Sequence, residues 1–292
     1  MDPYSLVIIG IIVVILALGT RKRFDLVYLL VLGNLAILFV DIISPAAKLD
    51  LAFRPGYLST GENLYTLFTQ MFVHAGFVHV LGNMLFLFLL GIPLEQRIGK
   101  KRFALVYFAA GIAGALMAAV VRWDTPWVYV LGASGAISGL VGALLVLYPR
   151  DEIPMMLGPI LLPKVPVWAG AISWLVFAVL FAAIGGGNVA WEAHVGGLLA
   201  GLAIGLVIGR GVQEQRARER APVDYSKLEP LATTAALRNA LETIKTEKQP
   251  DIRRAWLEYF ADHATCPNCK DGKLKYKGNK IVCPCHFEME IR

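Results

Sequence analysis

Seven long apolar blocks constrain the fold of this 292-residue chain more than any other feature. None of them contains Lys or Arg, and they cover residues 6–19, 26–43, 78–94, 103–121, 134–147, 165–184 and 195–208. A bilayer-spanning helix needs about 20 mostly apolar residues, and the shorter blocks border glycine-rich stretches that extend them. Only 17% of the residues are charged, less than the roughly 25% of soluble domains. We therefore expect an all-α polytopic membrane protein with seven spans.

Basic residues concentrate in every second loop between these blocks. The richer loops contain Arg21–Arg23, Lys100–Arg102, Arg150 with Lys164, and Arg210–Arg220. The alternate loops contain Lys48, Arg54 and Arg122. Because loops rich in Lys and Arg stay on the cytoplasmic side, we expect a multi-pass protein of the cell membrane, with its N-terminus outside and its C-terminus in the cytoplasm. This orientation largely explains the net charge of +6, so no nucleic-acid partner is expected.

The chain divides into a membrane part and a polar C-terminal part. Asp2 precedes the first apolar block and a basic cluster follows it, so we expect residues 1–23 to form a retained helix rather than a secretory signal. A membrane core is expected over residues 24–210. A cytoplasmic linker with short helices is expected over residues 211–262, followed by a small cysteine-rich module over residues 263–292.

All four cysteines lie in this last module, as Cys266, Cys269, Cys283 and Cys285. A two-residue gap lets one tight turn present two thiolates to a tetrahedral Zn²⁺ ion, and a cytoplasmic location argues against disulfides. The pattern CPNC followed by CPCH resembles a zinc ribbon, in which Cys285 and His286 compete as the fourth ligand. We expect a structural zinc and a possible protein partner for this tail, no cofactor for catalysis, and free thiols as the alternative.

Polar side chains inside the apolar blocks are costly in lipid and therefore mark functional candidates. His74, His79 and Asn83 form one such group near the start of the third block. Because His79 and Asn83 are four residues apart, a helix places them on one face, where both can donate hydrogen bonds to a developing oxyanion. The alternative for any one of these histidines alone is a packed or interfacial side chain.

A serine and a histidine stand at the starts of two later blocks. Gly132 and Ser134 mark the point where a glycine-rich loop meets an apolar helix, so the N–H group of Ser134 lacks a helical partner. A serine hydroxyl needs a nearby base to act as a nucleophile, and His194 supplies one. Gly197 and Gly201 lie one turn apart in the last block and allow the close helix approach that would bring the two together.

In their order and chemistry these motifs resemble the rhomboid family of intramembrane serine proteases. The motifs are His74 with His79 and Asn83, then Glu95-Gln96-Arg97, then Gly132-Ala133-Ser134-Gly135, then Ala193-His194 with Gly197 and Gly201. The resemblance covers about residues 24–209. It implies a six-helix rhomboid-type bundle, to which the first span is an addition and after which the helical and zinc-ribbon-like region follows in the cytoplasm.

The resemblance also implies an activity and a role for each residue. The expected activity is a serine endopeptidase that cleaves transmembrane protein substrates within membrane lipid, through a Ser–His dyad and an acyl-enzyme. Ser134 would be the nucleophile and His194 the general base, while the N–H group of Ser134, His79 and Asn83 would form the oxyanion hole. Structural roles are implied for His74, Glu95, Arg97, Gly132, Gly197 and Gly201.

Two residues near the predicted dyad bear on how His194 is held. Ser138, one turn after Ser134, takes a position that is often aromatic in the family and stacks on the catalytic histidine. Another group would therefore have to hold His194. Glu192 is close in sequence to His194, but we expect it in an exposed loop, and we therefore predict a dyad without a third member.

Two other functions remain as alternatives. The first is an inactive rhomboid-like scaffold that binds membrane proteins without cutting them, although such proteins typically lose the serine or the histidine. The second is a small-solute transporter, but transporters usually contain internal repeats and broken helices, and no convincing repeat relates the two halves of this chain.

Overall fold

The computed structural model describes residues 1–157, 160–184, 190–220, 224–247, 249–270, 272–278 and 280–291. These residues form two compact units, Met1–Val212 and Gln213–Arg292. The helices that begin in the first unit are α1 (Pro3–Gly19), α2 (Leu26–Ile43), α3 (Pro45–Leu51), α4 (Tyr57–Thr60), α5 (Thr66–Thr69), α6 (Phe77–Phe86), α7 (Ile92–Ile98), α8 (Lys100–Val121), α9 (Ser134–Leu147), α10 (Val167–Ile184) and α11 (Trp191–Arg220).

The predicted all-α polytopic architecture is confirmed in this first unit. Within the described residues, four helical stretches are long and apolar enough to cross a bilayer: Leu26–Ile43, Phe77–Ile98, Lys100–Val121 and Trp191–Glu214. Three further apolar helices are shorter, namely Pro3–Gly19, Ser134–Leu147 and the stretch Val167–Val176. Each of these seven segments overlaps one of the seven predicted blocks. Their outward faces expose large apolar side chains such as Phe39, Val120 and Val207, as expected for helices that contact lipid.

A π-helical turn interrupts the third span. This turn, Leu87–Gly91, joins α6 to α7. Pro93 explains the interruption, because proline has no N–H group to donate and its ring clashes with the carbonyl group of residue 89 in a regular helix. The span therefore continues through the bilayer with one locally widened turn between the polar end of α6 and the motif that contains Glu95.

The sequence analysis did not predict the two strands that lie between α9 and α10. Strands β1 (Glu152–Leu157) and β2 (Ile160–Pro166) pair in antiparallel orientation. Their register shifts between Ile153 and Met155, at Pro154, which cannot donate to the ladder. Alternating apolar residues at this point were too few to separate a strand from the end of a helix.

Glu95 and Arg97 each join separate elements at the end of the bundle where α2 and α8 begin. The carboxylate of Glu95 accepts hydrogen bonds from the backbone N–H groups of Leu26 and Val27, at 2.8 and 2.9 Å. It therefore caps α2 from a distant helix and satisfies two of the N–H groups that a helix start leaves open. Arg97 instead lies 3.6 Å from the carboxylate of Asp151, so the two residues act separately rather than as a pair.

Glycines allow α9 and α11 to meet backbone to backbone. A Cβ atom on Gly197 would lie 1.9 Å from the carbonyl oxygen of Gly135, and one on Gly201 would lie 2.0 Å from that of Gly139. No real side chain tolerates such distances. The two helices therefore approach more closely than any other residue type would permit, as small-residue faces do in membrane bundles.

The second unit combines helices and a small sheet. It contains a 3₁₀ segment (Tyr225–Leu231), α12 (Ala235–Thr246), α13 (Pro250–His263), and the antiparallel strands β3 (Lys275–Lys277), β4 (Lys280–Val282) and β5 (Glu288–Glu290). Thr234 caps α12 by accepting from the N–H group of Leu237 at 3.2 Å. Leu241, Phe260 and Ile281 belong to one buried cluster, so the helices and the cysteine-rich segment share a core.

The glycine contact predicts a position-specific effect of a single methyl group. We expect Gly201→Ala to lower the free energy of unfolding by about 1–3 kcal/mol or more, because its Cβ atom would overlap the backbone of α9. Thermal unfolding of the purified chain in detergent measures this effect. Gly10→Ala is the matched control, since a Cβ atom there meets nothing within 4 Å. Equal effects of the two substitutions would contradict the assigned contact.

Candidate active site

A cavity of about 310 Å³ opens among α6, α8, α9 and α11. Ser134 and His194, which are 60 residues apart in the sequence, both line it, and so does His79. Gly111 of α8 also lines it and lies ten residues before the end of that helix. At 1.5 Å per residue, the cavity reaches roughly 15 Å along the helix from its end. The structure thus brings the predicted nucleophile and base to one recess inside the bundle.

Ser134 is the first residue of α9. The loop before it is held by the backbone conformation of Gly132 and by a backbone hydrogen bond. Gly132 has a φ angle of +118°, which a residue with a side chain rarely adopts. Its N–H group donates to the carbonyl oxygen of Gln70 at 2.8 Å, which joins this loop to the segment before α6. The chain therefore turns sharply into α9 and presents Ser134 at the helix start, where N–H groups lack helical acceptors.

His74 fixes the same loop from the other side. Its Nε2 atom accepts a hydrogen bond from the N–H group of Ala133 at 3.3 Å, and its side chain is buried. Burial, together with the nearby His79, lowers the pKa of His74 well below its ordinary value, which keeps the ring neutral and able to accept. The rings of His74 and His79 meet edge to face, with centroids 5.2 Å apart. His74 is thus positioned to support the site rather than to react.

His79 and Asn83 converge on Gly132. The position of a Cβ atom on Gly132 lies 2.9 Å from Nε2 of His79 and 3.7 Å from Nδ2 of Asn83. The N–H group of Ala75 donates to Nδ1 of His79 at 3.3 Å. Because Nδ1 accepts, the single ring proton is on Nε2, so His79 directs a donor at the loop that precedes Ser134.

His194 lies in the first turn of α11, and a buried ion pair fixes that turn. Nε and Nη2 of Arg122 lie 2.7 and 3.1 Å from the two carboxylate oxygens of Glu192. The expectation that Glu192 lies in an exposed loop was wrong: α11 begins at Trp191, and Glu192 is buried. Because both of its oxygens bind Arg122 at the end of α8, Glu192 anchors the helix that carries His194.

The sequence analysis did not identify Trp174 of α10 as a site residue. Its Nε1 atom donates to Oγ of Ser138 at 3.0 Å, and its ring centroid lies 6.1 Å from that of His194. The signal in the sequence was indirect. A small polar residue one turn after Ser134 leaves space and an acceptor inside an apolar bundle, which an indole from another span can use.

The four cysteines form a separate group in the second unit. Their Sγ atoms all lie within 4.8 Å of one another, close enough for one metal ion. Cys266 and Cys285 are 3.5 Å apart, and Cys269 and Cys283 are 3.7 Å apart, between sulfur atoms. His286 does not belong to this group among the described residues, and its backbone has a φ angle of +67°.

Comparison with known proteins identifies the membrane unit. The family model for the rhomboid domain matches residues 61–211, which is slightly more than half of the chain. Rhomboid-related protein 2 of Mus musculus is 31% identical over 50% of this chain and 49% of its own length. RHOMBOID-like protein 6, mitochondrial, of Arabidopsis thaliana is 33% identical over 51% of this chain and 45% of its own length.

A third relative aligns over more of the chain. Rhomboid-like protease 1 of Toxoplasma gondii is 28% identical over 66% of this chain and 61% of its own length. The alignments thus span about half of the curated relatives, and the residues that the family model matches include those that line the cavity. The matched domain, the membrane-spanning helices and the alignments together show that this chain belongs to the rhomboid family.

Proposed function

We propose that this protein is an intramembrane serine endopeptidase, with Ser134 as the nucleophile and His194 as the general base. The observation that carries the proposal is the shared cavity, which brings a helix-start serine, a histidine and a second, donor histidine together inside an apolar bundle. A serine beside a base and facing preorganised donors is the arrangement that acyl transfer requires. A buried ion pair between Arg122 and Glu192 and a glycine contact between α9 and α11 support this arrangement.

The first step forms an acyl-enzyme. His194 accepts the proton of Ser134 as Oγ attacks the carbonyl carbon of the scissile peptide bond, and the carbonyl oxygen becomes an oxyanion. His194 then gives that proton to the leaving amine as the carbon–nitrogen bond breaks. In the second step, a water molecule loses a proton to His194 and attacks the ester, which releases the acid and restores Ser134.

The oxyanion faces the loop before Ser134. Nε2–H of His79, the amide of Asn83 and the backbone N–H group of Ser134 are the donors that we assign to it. His79 suits this role because its Nδ1 atom already accepts from Ala75, so its proton is directed at the cavity before substrate arrives. Donors that are fixed in advance cost no reorganisation in the transition state, and loss of one typically costs about 100-fold in rate or more.

We propose transmembrane proteins as the substrates. The peptide bonds of an intact helix are covered by their own hydrogen bonds, so a cleavable segment must unwind to enter the cavity. Substrates with helix-weakening residues near the outer surface, and with a small residue before the cut, are therefore favoured. Loop residues Tyr129 to Gly132 line the cavity beside the helices, which suits a segment bent into it from one side of the membrane.

The side of the membrane follows from charge. We propose a multi-pass protein of the cell membrane with its N-terminus outside, its C-terminus in the cytoplasm and its cavity near the outer surface. Arg21–Arg23 and Lys100–Arg102 flank the end of the bundle opposite the cavity, and positive charge favours the cytoplasmic side. The exposed indoles of Trp123 and Trp127 lie in the loop next to the cavity, and that of Trp191 lies at the start of α11, as expected at a membrane interface.

The proposal predicts that loss of either member of the dyad abolishes cleavage. We expect purified native chain in proteoliposomes to cut a labelled transmembrane substrate, and Ser134→Ala and His194→Ala to lower the rate at least 1,000-fold, because the two residues act as a unit. Appearance of the labelled fragment measures the rate.

The control for this measurement is Ser59→Ala, which removes an exposed hydroxyl outside the cavity and should leave the rate unchanged. Equal cleavage by the native chain and Ser134→Ala would contradict the assignment. A folded native chain that cuts none of several substrates would favour the non-cutting scaffold.

We further propose that the second unit binds one structural zinc ion. Zinc–sulfur bonds of about 2.3 Å in a tetrahedron separate the sulfur atoms by about 3.8 Å, close to the two distances that pair the four thiols. Cys266, Cys269, Cys283 and Cys285 therefore suit a closed site, and a closed site stabilises a fold instead of catalysing a reaction. This favours Cys285 over His286 as the fourth ligand. The module so held is the part of the chain that a cytoplasmic protein partner would bind.

The zinc proposal predicts how many zinc ions each chain binds and which residues bind them. We expect one zinc ion per chain by elemental analysis of the purified full-length protein, and its loss in Cys269→Ser and Cys285→Ser. Loss of zinc should also make residues 213–292 sensitive to protease, since metal binding and folding are coupled in small metal-bound modules.

His286→Asn is the matched control, because asparagine tolerates the positive φ angle of this position. It should retain zinc. A native chain without zinc, or retention by Cys285→Ser together with loss by His286→Asn, would contradict the four-cysteine site.

A further inference from the structure

We propose that Trp174 is a positioning residue that holds the imidazole of His194 towards Ser134, and that Ser138 fixes Trp174 for this purpose. The inference rests on the proposed protease function and adds to it the group that orients the base. It assigns a role to a residue of α10, a helix that contributes none of the predicted catalytic or oxyanion residues.

The indole of Trp174 is held at its polar edge by one hydrogen bond. Nε1 of Trp174 donates to Oγ of Ser138 at 3.0 Å, and the two residues are 3% and 1% exposed. A buried indole N–H group without an acceptor is unfavourable, so Ser138 fixes both the depth and the rotation of the ring. If the residue at position 138 had no hydrogen-bond acceptor, only packing would limit the rotation of the indole.

Two aromatic contacts further restrict the orientation of the indole. Its ring meets Phe86 of α6 nearly edge to face, with centroids 4.7 Å apart and an interplanar angle of 70°. It meets the imidazole of His194 with centroids 6.1 Å apart and an angle of 53°. Trp174 of α10 therefore contacts side chains from α6, α9 and α11, and its ring is positioned by residues that do not include the dyad serine.

On one side of His194, its own helix offers no side chain that could hold the imidazole. Gly197, three residues after His194 in α11, has no side chain that could restrict the imidazole. The Glu192–Arg122 pair fixes the backbone of this turn through both carboxylate oxygens of Glu192. The indole of Trp174 approaches the imidazole from outside α11 and can therefore limit its rotation about the two side-chain bonds.

The position of Ser138 connects this support to the nucleophile. Ser134 and Ser138 are four residues apart on α9, so they lie on one face, one turn apart. The residue that anchors the indole thus belongs to the same rigid helix as the attacking hydroxyl. Because Trp174 spans from Ser138 to His194, the distance between base and nucleophile depends on it, and a misplacement of about 1 Å can cost about 100-fold in rate.

Cleavage kinetics test the proposal through four variants. We expect Trp174→Leu to lower kcat by about 10- to 100-fold and Ser138→Ala by about 3- to 10-fold, with KM changed less than 2-fold, because substrate binding does not use the indole. Trp174→Phe keeps a ring beside His194 and should retain more activity than Trp174→Leu. Trp168→Leu is the control, since this tryptophan of the same helix is 54% exposed, and it should keep the native rate.

A double-substitution cycle separates positioning from general packing. Ser138 acts only through the indole, so adding Ser138→Ala to Trp174→Leu should cause no further loss of kcat. Additive losses, a native or raised kcat in Trp174→Leu, or a rise in KM that accounts for the loss would each overturn the proposal. Thermal unfolding of every variant shows whether a loss of rate reflects a loss of fold.

The contact between Trp174 and His194 can also be measured without substrate cleavage, by NMR of labelled histidine. This measurement tests the proposal even if the native chain cuts no substrate. The chain has five histidines, so isotope labelling of histidine gives few imidazole signals. In Ser134→Ala, the ring signals of His194 should show the ring-current shift of a neighbouring indole, and this shift should vanish in Ser134→Ala/Trp174→Leu. An unchanged His194 signal would overturn the positioning role. Failed cleavage together with the expected shift would reject the protease function and leave the contact standing.

Discussion

The backbone contact between α9 and α11 is the interaction on which the cavity depends. Gly197 and Gly201 remove the side chains that would hold the two helices apart, and the carbonyl groups of Gly135 and Gly139 occupy the space so created. Ser134 begins α9, and His194 lies three residues before Gly197 in α11. Packing of the two helices therefore brings Ser134 and His194 together. Lipid supplies no hydrophobic force between helices, so this close fit is what brings the pair together.

The remaining supports act on the ends of these two helices. His74 and Gln70 hold the loop before Ser134, and the Arg122–Glu192 pair holds the turn that carries His194. These supports come from the segment before α6, the end of α8 and the start of α11, so the recess is assembled only when these separate parts of the bundle have packed together. The same logic places the oxyanion donors, since His79 faces Gly132 only because its helix begins beside that loop.

Much of the architecture could be predicted from the sequence because lipid imposes simple rules on a chain. Apolar length without Lys or Arg predicted seven helical segments, and the family resemblance identified the membrane unit. Contacts that depend on three-dimensional packing could not be predicted in this way. Glu192 was expected to be exposed, because nothing near it in the sequence indicates a partner. Arg122, which pairs with it, is 70 residues away. Trp174 resembled an ordinary apolar residue of a span, since nothing local reveals that its indole reaches Ser138.

Activation of Ser134 by His194 is the central claim, and covalent modification tests it most directly. A fluorophosphonate forms a bond between phosphorus and an activated serine oxygen as fluoride leaves, and peptide mapping by mass spectrometry locates the adduct. In the native chain in bilayers, we predict one adduct, on Ser134, and none in His194→Ala. An adduct on another serine, or equal modification of Ser134 without His194, would contradict the claim.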